Sequence, residues 1–243
     1  MRAWGITDTG MVREENQDAY AIEKLADDVT LAVVCDGMGG ARSGAVASRI
    51  ARNVFRDTVL RLWKANLSGK KTEALLREAL KAANTAVYEQ SCASEECRGM
   101  GTTLVAAIVT LNTASIINVG DSRAYHVSGE GIRCVTKDHS FVQMMVQRGE
   151  LTEEQAKRHP KKNLITRAIG TEPDVEGDVY RLPFSEDGYI LLCSDGVSNL
   201  LSDQEILFEV LHGVNKEDCC QRLLEITVKR GAPDNATIVL ICL

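Results

Sequence analysis

Hydrophobic residues recur along the chain with two different periods, which predict strands and helices in a definite order. Residues 2–8, 18–23 and 29–35 are short β-type runs. The next two segments, 43–64 and 72–90, carry apolar side chains at every third or fourth position, which predicts amphipathic helices. Their apolar stripes are expected to pack on the core, so we assign them no chemistry.

The pattern changes from Gly101 onward. Short apolar runs separated by Gly, Asn, Ser and Asp predict an antiparallel meander there. Two kinds of element are predicted further along: strands at 178–182, 188–193 and 234–243, and helices at 202–212 and 215–230. The order of strands, two helices, strands, two helices and a final strand predicts a layered α+β fold. Because we find no internal repeat, low-complexity segment or linker, residues 1–243 are expected to form a single domain.

Residues 139–170 differ from their surroundings in their mixed polarity. A helix fits 139–148, and a capping pattern at Thr152 predicts the start of a second helix. The segment is too polar for a core and too structured for a linker. We therefore expect an inserted, mobile subdomain at this place in the chain.

Composition and charge narrow the classes of function. With 243 residues, of which 44% are hydrophobic, the chain has enough apolar material for a substantial core. Its net charge of −6 and the absence of a Lys/Arg stripe argue against nucleic acid as the main partner. No apolar run approaches the roughly 18–20 residues of a membrane span. The opening stretch MRAWGITDTG also lacks the apolar core of a signal peptide, so we expect a cytoplasmic protein with no membrane partner.

The eight cysteines show no metal-ligand spacing of the C-x-x-C type. Several lie inside apolar strand-like runs, where cysteine behaves as a small hydrophobic residue. We interpret them as reduced thiols of a cytosolic protein. Cys92 and Cys97, beside a polar SEE stretch, are the one pair for which redox chemistry stays open.

Aspartates stand at the ends of several β-type runs. In LAVVCDGMGG an apolar run ends at an aspartate followed by glycines, and by itself this is ordinary turn chemistry. The pattern recurs, however, so that four aspartates each lie at one end of a strand-like run: Asp36, Asp121, Asp195 and Asp234. A fifth, Asp18, lies beside the second strand. If these strands share a pair of sheets, the carboxylates converge on one end of the fold.

Converging carboxylates repel each other and are stable together only with cations among them. Carboxylates with backbone carbonyls and water, without a His or Cys cluster, suit Mg²⁺ or Mn²⁺. Two such ions bridged by one aspartate can hold a hydroxide for in-line attack at phosphorus. Gly37 can then present its carbonyl to an ion, while Gly39 and Gly40 allow close backbone approach. Arg13 would bind phosphate oxygens with its planar fork, unless it is a surface arginine paired with Glu14 or Glu15.

The chain resembles the metal-dependent protein phosphatases of the 2C type. The similarity extends from about Ile6 to Ile241 and is closest to the compact bacterial members that oppose Ser/Thr protein kinases. It rests on eight blocks in the family's order: DTGMVREENQDAY, VVCDGMGG, MGTTLVAAIV, NVGDSRAY, KDHS, LITRAIG, LLCSDGVSN and DNATIVLI. Together these blocks are highly specific.

The resemblance implies a four-layer α-β-β-α sandwich, in which two antiparallel sheets are flanked by helices and metals lie at one edge between the sheets. It also implies that residues 139–170 form the flap, which shapes substrate entry. Roles are implied for the candidate residues as follows: Asp36 bridges the two core ions, the Gly37 carbonyl holds one, Asp195 and Asp234 hold the other, Asp121 with Asp195 takes a third, looser ion, Asp18 orients metal-bound water, and Arg13 binds the phosphate.

One position departs from many eukaryotic members, which carry His directly after the first Asp-Gly. Here that residue is Met38, as in bacterial relatives. The acid that protonates the leaving alcohol is therefore open. A metal-bound water is the first candidate and His139 the second, although His139 is equally well explained as a structural residue at the base of the flap.

We expect a Mn²⁺- or Mg²⁺-dependent hydrolase of phosphoserine and phosphothreonine in proteins. Its partners would be phosphorylated proteins, including Ser/Thr kinases and their substrates, and it is expected to work as a monomer. Two alternatives stay open. One is an inactive phosphatase-like module that binds a phosphoprotein or a kinase. The other is a metallophosphoesterase for small molecules. The shape of the flap, rather than the metal site, would distinguish it from a protein phosphatase.

Overall fold

A computed structural model describes residues 1–39, 43–65, 67, 69–93, 95–184, 188–213 and 215–243. The expected close approach at Gly40 lies outside the described residues. No helix within them is long and apolar enough to cross a bilayer.

Two antiparallel sheets form the centre of the molecule. The strands are β1 (Arg2–Asp8), β2 (Asp18–Ala26), β3 (Val29–Met38), β4 (Gly101–Thr102), β5 (Leu104–Val109), β6 (Thr113–Val119), β7 (Arg123–Ser128), β8 (Gly131–Cys134), β9 (Asp178–Pro183), β10 (Gly188–Cys193) and β11 (Ala236–Cys242). One sheet has the order β1-β11-β10-β7-β8. The other has the order β2-β3-β5-β6-β9, with the short β4 paired to β3. Because β1 pairs with β11, the first and last strands of the chain are neighbours.

Seven α-helices lie within the described residues, and the four longest cover the outer faces of the two sheets. The seven are α1 (Ser43–Leu62), α2 (Gly69–Ala93), α3 (Phe141–Gln147), α4 (Glu153–Arg158), α5 (Asp195–Ser198), α6 (Asp203–His212) and α7 (Cys219–Lys229), with a short 3₁₀ turn at Glu95–Cys97. Buried residues of α1 and α2 pack on the β2–β9 sheet, and those of α6 and α7 pack on the β1–β8 sheet. The predicted four-layer α-β-β-α sandwich is therefore confirmed.

The central strands are apolar on both faces, which explains their continuous hydrophobic runs. In β3, Leu31, Val33 and Cys35 face the helices, whereas Ala32 and Val34 face the opposite sheet. Successive side chains of a strand point to opposite faces. The same alternation therefore decides which polar residues at the ends of the strands lie between the sheets.

The predicted helices and strands are observed, with differences at their boundaries. The helix predicted from residue 215 begins at Cys219. Asn215 bonds through its side chain to the Glu217 amide and the Asp218 carboxylate. Lys216 meanwhile donates to carbonyls at the end of α6. These local bonds close a turn, so the helix starts after it.

The segment 139–170 contains α3 and α4, joined by a short turn. The predicted cap is confirmed: the Thr152 hydroxyl accepts from the Gln155 amide, and the Gln155 side chain accepts from the Thr152 amide. Mobility of this segment stays a prediction.

Candidate metal centre

One end of the layer between the sheets is polar. The alternation that places Ala32 and Val34 there continues to Asp36 in β3. On β2, Tyr20 and Ile22 face this layer, and Asp18 follows the same alternation. Asp18 and Asp36 stand directly opposite each other in the register of the two strands. The carboxylates thus converge because each follows an apolar inter-sheet face to its end.

A cavity of about 1200 Å³ opens at this polar end. It is lined by Val12, Arg13, Glu14, Glu15, Gln17, Asp36, Gly37, Met38, Gly39, Thr103, Asp121, Asn163, Ile165, Asp195 and Asp234. Six of the seven predicted site residues are therefore brought to one pocket. The seventh, Asp18, is not among the lining residues and lies buried behind them.

Asp36 is fixed by its own backbone, because it lies within β3 rather than after the end of the strand. Its amide donates to the Thr103 hydroxyl at 2.9 Å, and its carbonyl accepts from the Thr103 amide and the Thr102 hydroxyl, both at 2.8 Å. The Thr103 hydroxyl also bonds the Ser122 hydroxyl at 2.7 Å. Ser122 follows Asp121, so one buried threonine ties two acidic positions of the pocket together.

Gly37 is packed so tightly that any side chain there would force its neighbours to move. A Cβ there would lie 2.5 Å from the Gly44 carbonyl carbon, closer still to its oxygen, and 2.7 Å from the Gln17 carbonyl oxygen. The strand end is thus packed directly on the backbone at the start of α1. Gly39 has φ +114°, and a Cβ there would approach the Met100 Cα to 2.9 Å, so the expected close approach is confirmed at this glycine.

The loop that carries Asp121 turns at Gly120, whose φ is +101°. The Gly120 amide donates to Nδ1 of His139 at 3.1 Å. The other ring nitrogen of His139 lies 3.4 Å from the Asp178 carboxylate. Burial, followed by the charge of Arg167, lowers the pKa of His139, which favours the neutral ring that the hydrogen bond accepted by Nδ1 requires. His139 therefore holds the base of the segment 139–170 against the Asp121 loop.

Asp195 and Asp234 are presented by neighbouring chain segments. Asp195 is the first residue of α5 and accepts from the Asn199 side chain at 3.0 Å. Asp234 precedes β11 and accepts from the Arg13 guanidinium at 2.8 Å. Asn235, next in the chain, bonds through its side chain to backbone atoms of Thr9, Glu15 and Gln17. This asparagine fixes the 9–17 loop and hence the position of Arg13.

Burial and mutual repulsion raise the pKa values of several of these carboxyl groups. Burial raises the pKa of Asp36 well above its usual range, and the charges of Asp18, Asp195, Asp121 and Asp234 raise it further. Burial likewise raises the pKa of Asp121 to about 8, with Asp195 as the next cause. Burial and then the charge of Asp234 raise the pKa of Asp195, although a hydrogen bond with the Asp36 carboxyl lowers it. Without a cation, these raised pKa values favour protonated carboxyl groups in the site.

Asp18 is anchored rather than exposed. One of its oxygens accepts from the Thr237 hydroxyl at 2.6 Å and from the Ser194 hydroxyl at 2.8 Å. The other oxygen is buried and has no partner among the described residues. Burial raises the pKa of Asp18 to about 7, against the lowering effect of those two hydrogen bonds. A buried carboxylate oxygen without a partner costs free energy unless water or a cation meets it.

The donor chemistry fits Mn²⁺ or Mg²⁺. Within the described residues, no group of three or more His, Cys, Asp or Glu side chains is arranged to hold an ion alone. Hard divalent cations take part of their shell from carbonyls and water. The pocket offers such oxygens from Asp36, Asp121, Asp195, Asp234 and the Gly37 carbonyl, while only one Lys or Arg, Arg13, is among its described lining residues. Buried oxygens with raised pKa values are what a divalent cation would neutralise.

Residues 12–225 match the family described as protein phosphatase 2C. The chain belongs to the protein phosphatase 2C family. It is 36% identical over 241 residues to the serine/threonine phosphatase stp of Listeria monocytogenes, covering 97% of this chain and 93% of that protein.

Solved structures of the family agree with the fold. The serine/threonine phosphatase Stp1 from Staphylococcus aureus superposes with a TM-score of 0.93 at 34% identity, covering 99% of this chain and 94% of that one. The catalytic domain of the serine/threonine protein phosphatase PstP in complex with two manganese ions gives a TM-score of 0.83 at 30% identity, covering 100% and 98%. The protein phosphatase 2C fold is thus shared over the whole chain.

Met38, at the position of the eukaryotic histidine, and the candidate acid His139 occupy different environments. Met38 lines the pocket and has no proton to donate. His139 is buried, is not among the lining residues, and is engaged at Gly120 and Asp178. These contacts support the alternative for His139, a structural residue at the base of the segment, while a metal-bound water stays the first candidate for the acid.

Several residues that organise the pocket were missed from the sequence. They are Thr102, Thr103 and Ser122 around Asp36, Ser194 and Thr237 around Asp18, and Asn235 beneath the 9–17 loop. Ser194 directly follows the last residue of β10, and Thr237 lies between apolar residues of β11. Their polarity within those buried segments was the signal that could have identified them.

Proposed function

We propose that this chain is a Mn²⁺- or Mg²⁺-dependent protein serine/threonine phosphatase, acting on phosphoserine and phosphothreonine and opposing Ser/Thr protein kinases. The observation that carries the proposal is the single pocket that combines four aspartates, the Gly37 backbone and Arg13. The names of the relatives, which are serine/threonine phosphatases, support the substrate class.

In this proposal Asp36, Asp195, Asp234 and the Gly37 carbonyl would hold two core ions, and Asp121 with Asp195 would hold a third. Bound Mn²⁺ or Mg²⁺ would supply an activated water for direct attack on phosphorus and would neutralise charge on the phosphoryl group. The two manganese ions in the PstP structure support the number of core ions.

Arg13 would orient the phosphoryl group. Its guanidinium pairs with Asp234 at 2.8 Å, and its side chain is 53% exposed. It therefore keeps donors free for a second partner, and its planar fork matches two phosphate oxygens. The contact with Asp234 holds the arginine over the carboxylates, where the phosphate of a substrate would lie.

Asp18 would act from behind the pocket. The hydroxyls of Ser194 and Thr237 fix one of its oxygens and leave the other free of any described partner. That free oxygen would orient the attacking water by accepting a hydrogen bond from it. No histidine is among the described lining residues, so we propose that the leaving alcohol takes its proton from water.

We further propose one catalytic domain over residues 1–243, with residues 139–170 as its flap, working as a monomer in the cytoplasm. Pairing of β1 with β11 supports a single unit, because the two ends of the chain share a sheet. None of the eight cysteines, all within the described residues, forms a disulfide, which suits a reducing compartment.

The test is release of phosphate from a phosphothreonine peptide with Mn²⁺ and with EDTA, for the unaltered protein and for Asp36→Asn. Asp174→Asn is the matched control, since Asp174 is exposed and is not among the lining residues. We expect release that needs Mn²⁺, is kept in Asp174→Asn and is lost in Asp36→Asn. Metal-independent release, or release by the folded Asp36→Asn protein, would contradict the proposal.

The alternatives are separated by the same assay. A folded protein that binds the phosphopeptide but releases nothing with any metal would be an inactive binding module. Faster turnover of small phosphate esters than of phosphopeptides would favour a small-molecule esterase. The retained acidic set and Arg13 speak against the first alternative.

A further inference from the structure

The flap carries a local positive charge in a chain whose net charge is −6. Residues 157–162 read KRHPKK, and the four Lys and Arg side chains of this run are exposed. The run begins in the last turn of α4 and continues toward Asn163, which lines the metal pocket. The positive charge therefore lies beside the place where a substrate phosphate would bind.

Two of these lysines line a second cavity, of about 310 Å³, between the flap and the α5–α6 region. The charged residues of its lining are Asp121, Arg123, Asp138, Glu153, Lys157, Lys162 and Asp195. Asp121, Asn163 and Asp195 also line the metal pocket. The two cavities are therefore neighbours with a common wall.

The charges in this second cavity are unequally matched. Arg123 is satisfied by Asp138 through two hydrogen bonds of 2.9 and 2.7 Å. Lys157 and Lys162, by contrast, form no ion pair with any carboxylate in the described part of the chain. Glu153, at the start of α4, is the remaining carboxylate once the two shared aspartates are assigned to metal. With those two aspartates on metal and Asp138 paired to Arg123, the cavity would present two unpaired ammonium groups against one carboxylate.

We propose that this second cavity binds an acidic side chain of the substrate polypeptide, a carboxylate or a second phosphate, flanking the residue whose phosphate is removed. Lys157 and Lys162 would pair with that side chain, and the amides of Gln143 and Asn199 would border it. The proposal rests on the proposed function, because the common wall connects the cavity to the phosphoryl site. A volume of about 310 Å³ suits one side chain of a bound peptide rather than a folded partner.

The test compares phosphothreonine peptides that differ only in their flanks. One has neutral flanks, others carry glutamates on the N-terminal or C-terminal side, and another carries phosphoserine beside the phosphothreonine. We expect kcat/KM to be higher for the peptides with acidic flanks on one side. That preference should fall about two- to fivefold in Lys157→Gln, the size typical of an exposed ion pair, and further in the double variant with Lys162→Gln.

Two controls separate a specific pairing from a change in net charge. Lys157→Arg should retain the preference for acidic flanks, because it retains the charge. Lys81→Gln, an exposed lysine of α2 that lines neither cavity, should retain it as well. The preference should also shrink as salt rises from 50 mM to 500 mM. Because the readout is a ratio of two substrates, it does not depend on how much of each variant is folded.

Equal kcat/KM for acidic and neutral flanks, or an unchanged preference in the double variant, would overturn the proposal while leaving the phosphatase assignment intact. An equal gain in kcat/KM from glutamate and from phosphoserine flanks would assign the cavity to anions in general. A larger gain from phosphoserine would assign it to a second phosphate. Either result supports the proposal. Absence of hydrolysis for every peptide with Mn²⁺ would overturn the proposed function and this inference together.

Discussion

Substitution of Gly37 by alanine tests the link between backbone packing and the metal site. The added methyl group would lie 2.5 Å from the Gly44 carbonyl carbon and 2.7 Å from the Gln17 carbonyl oxygen. Both neighbours are backbone, so relief requires the β3 end, the start of α1 or the loop before β2 to move by about half an ångström or more. The Gly37 carbonyl, a proposed metal donor, would move with them.

The magnitude follows from two opposing effects. Overpacking at a rigid site costs about 1–3 kcal/mol, with the upper end expected because three backbone atoms are in the way. Replacing glycine stabilises by about 0.4–1 kcal/mol through the unfolded chain. We expect a net loss of about 2 kcal/mol in the free energy of unfolding. We also expect at least a tenfold rise in the Mn²⁺ concentration for half-maximal activity, the scale of disturbed metal support.

Urea unfolding and Mn²⁺ titration of phosphopeptide hydrolysis measure the two effects. Gly129→Ala is the control, because a Cβ there meets nothing within 4 Å; its unfolding free energy should change by less than about 0.5 kcal/mol. A Gly37→Ala protein with the stability and Mn²⁺ requirement of the Gly129→Ala protein would refute the reasoning.

Three further predictions follow from contacts of the site. Arg13→Ala should lower kcat/KM for a phosphopeptide about 10- to 100-fold, with Arg13→Lys recovering only part, since a charge-assisted hydrogen bond contributes about 1.5–3 kcal/mol; a change below twofold would contradict the role in phosphate binding. In EDTA, the unfolding free energy should fall as pH rises from about 4 to 8. Burial raises the pKa of Asp121 to about 8, so the folded state binds more protons than the unfolded chain in that window. Urea midpoints that rise with pH would contradict this, and Asp121→Asn should flatten the slope. Asp138→Asn should cost about 3 kcal/mol in urea unfolding, because it leaves the Arg123 guanidinium, whose side chain is 31% exposed, without its carboxylate. Asp27→Asn, at an exposed ion pair, should leave the free energy of unfolding unchanged. A loss as large as that of Asp138→Asn would contradict the reasoning.

The fold was largely predictable because its signals are local. Strands buried on both faces give continuous apolar runs, and helices packed on one side give stripes at helical spacing. The strand ends also indicated where Asp36, Asp121, Asp195 and Asp234 would lie, since an aspartate that ends a buried run must be placed at the rim of the core. The short helix α5 was missed because its four residues are too few for a periodic pattern.

What could not be predicted depends on strand register and on contacts between distant segments. The burial of Asp18 depends on Ser194 and Thr237, which are far from it in sequence and meet it only when the two sheets are stacked. The role of His139 depends on the direction of a single amide, that of Gly120. The KRHPKK run was overlooked in the sequence, where we noted no Lys/Arg stripe, and its position beside the metal pocket required the course of the flap.

The charge balance of the pocket determines how its substitutions should be interpreted. Among the described lining residues, six carboxylates face one arginine: Glu14, Glu15, Asp36, Asp121, Asp195 and Asp234 against Arg13. Such an arrangement contributes no stability without cations, because burial and then the charges of neighbouring aspartates raise the pKa values of Asp36 and Asp121. Neutralising one of them relieves repulsion and leaves the apolar layers untouched. Loss of hydrolysis in Asp36→Asn therefore reports on metal chemistry rather than on unfolding, because the fold does not depend on the charge that the reaction needs.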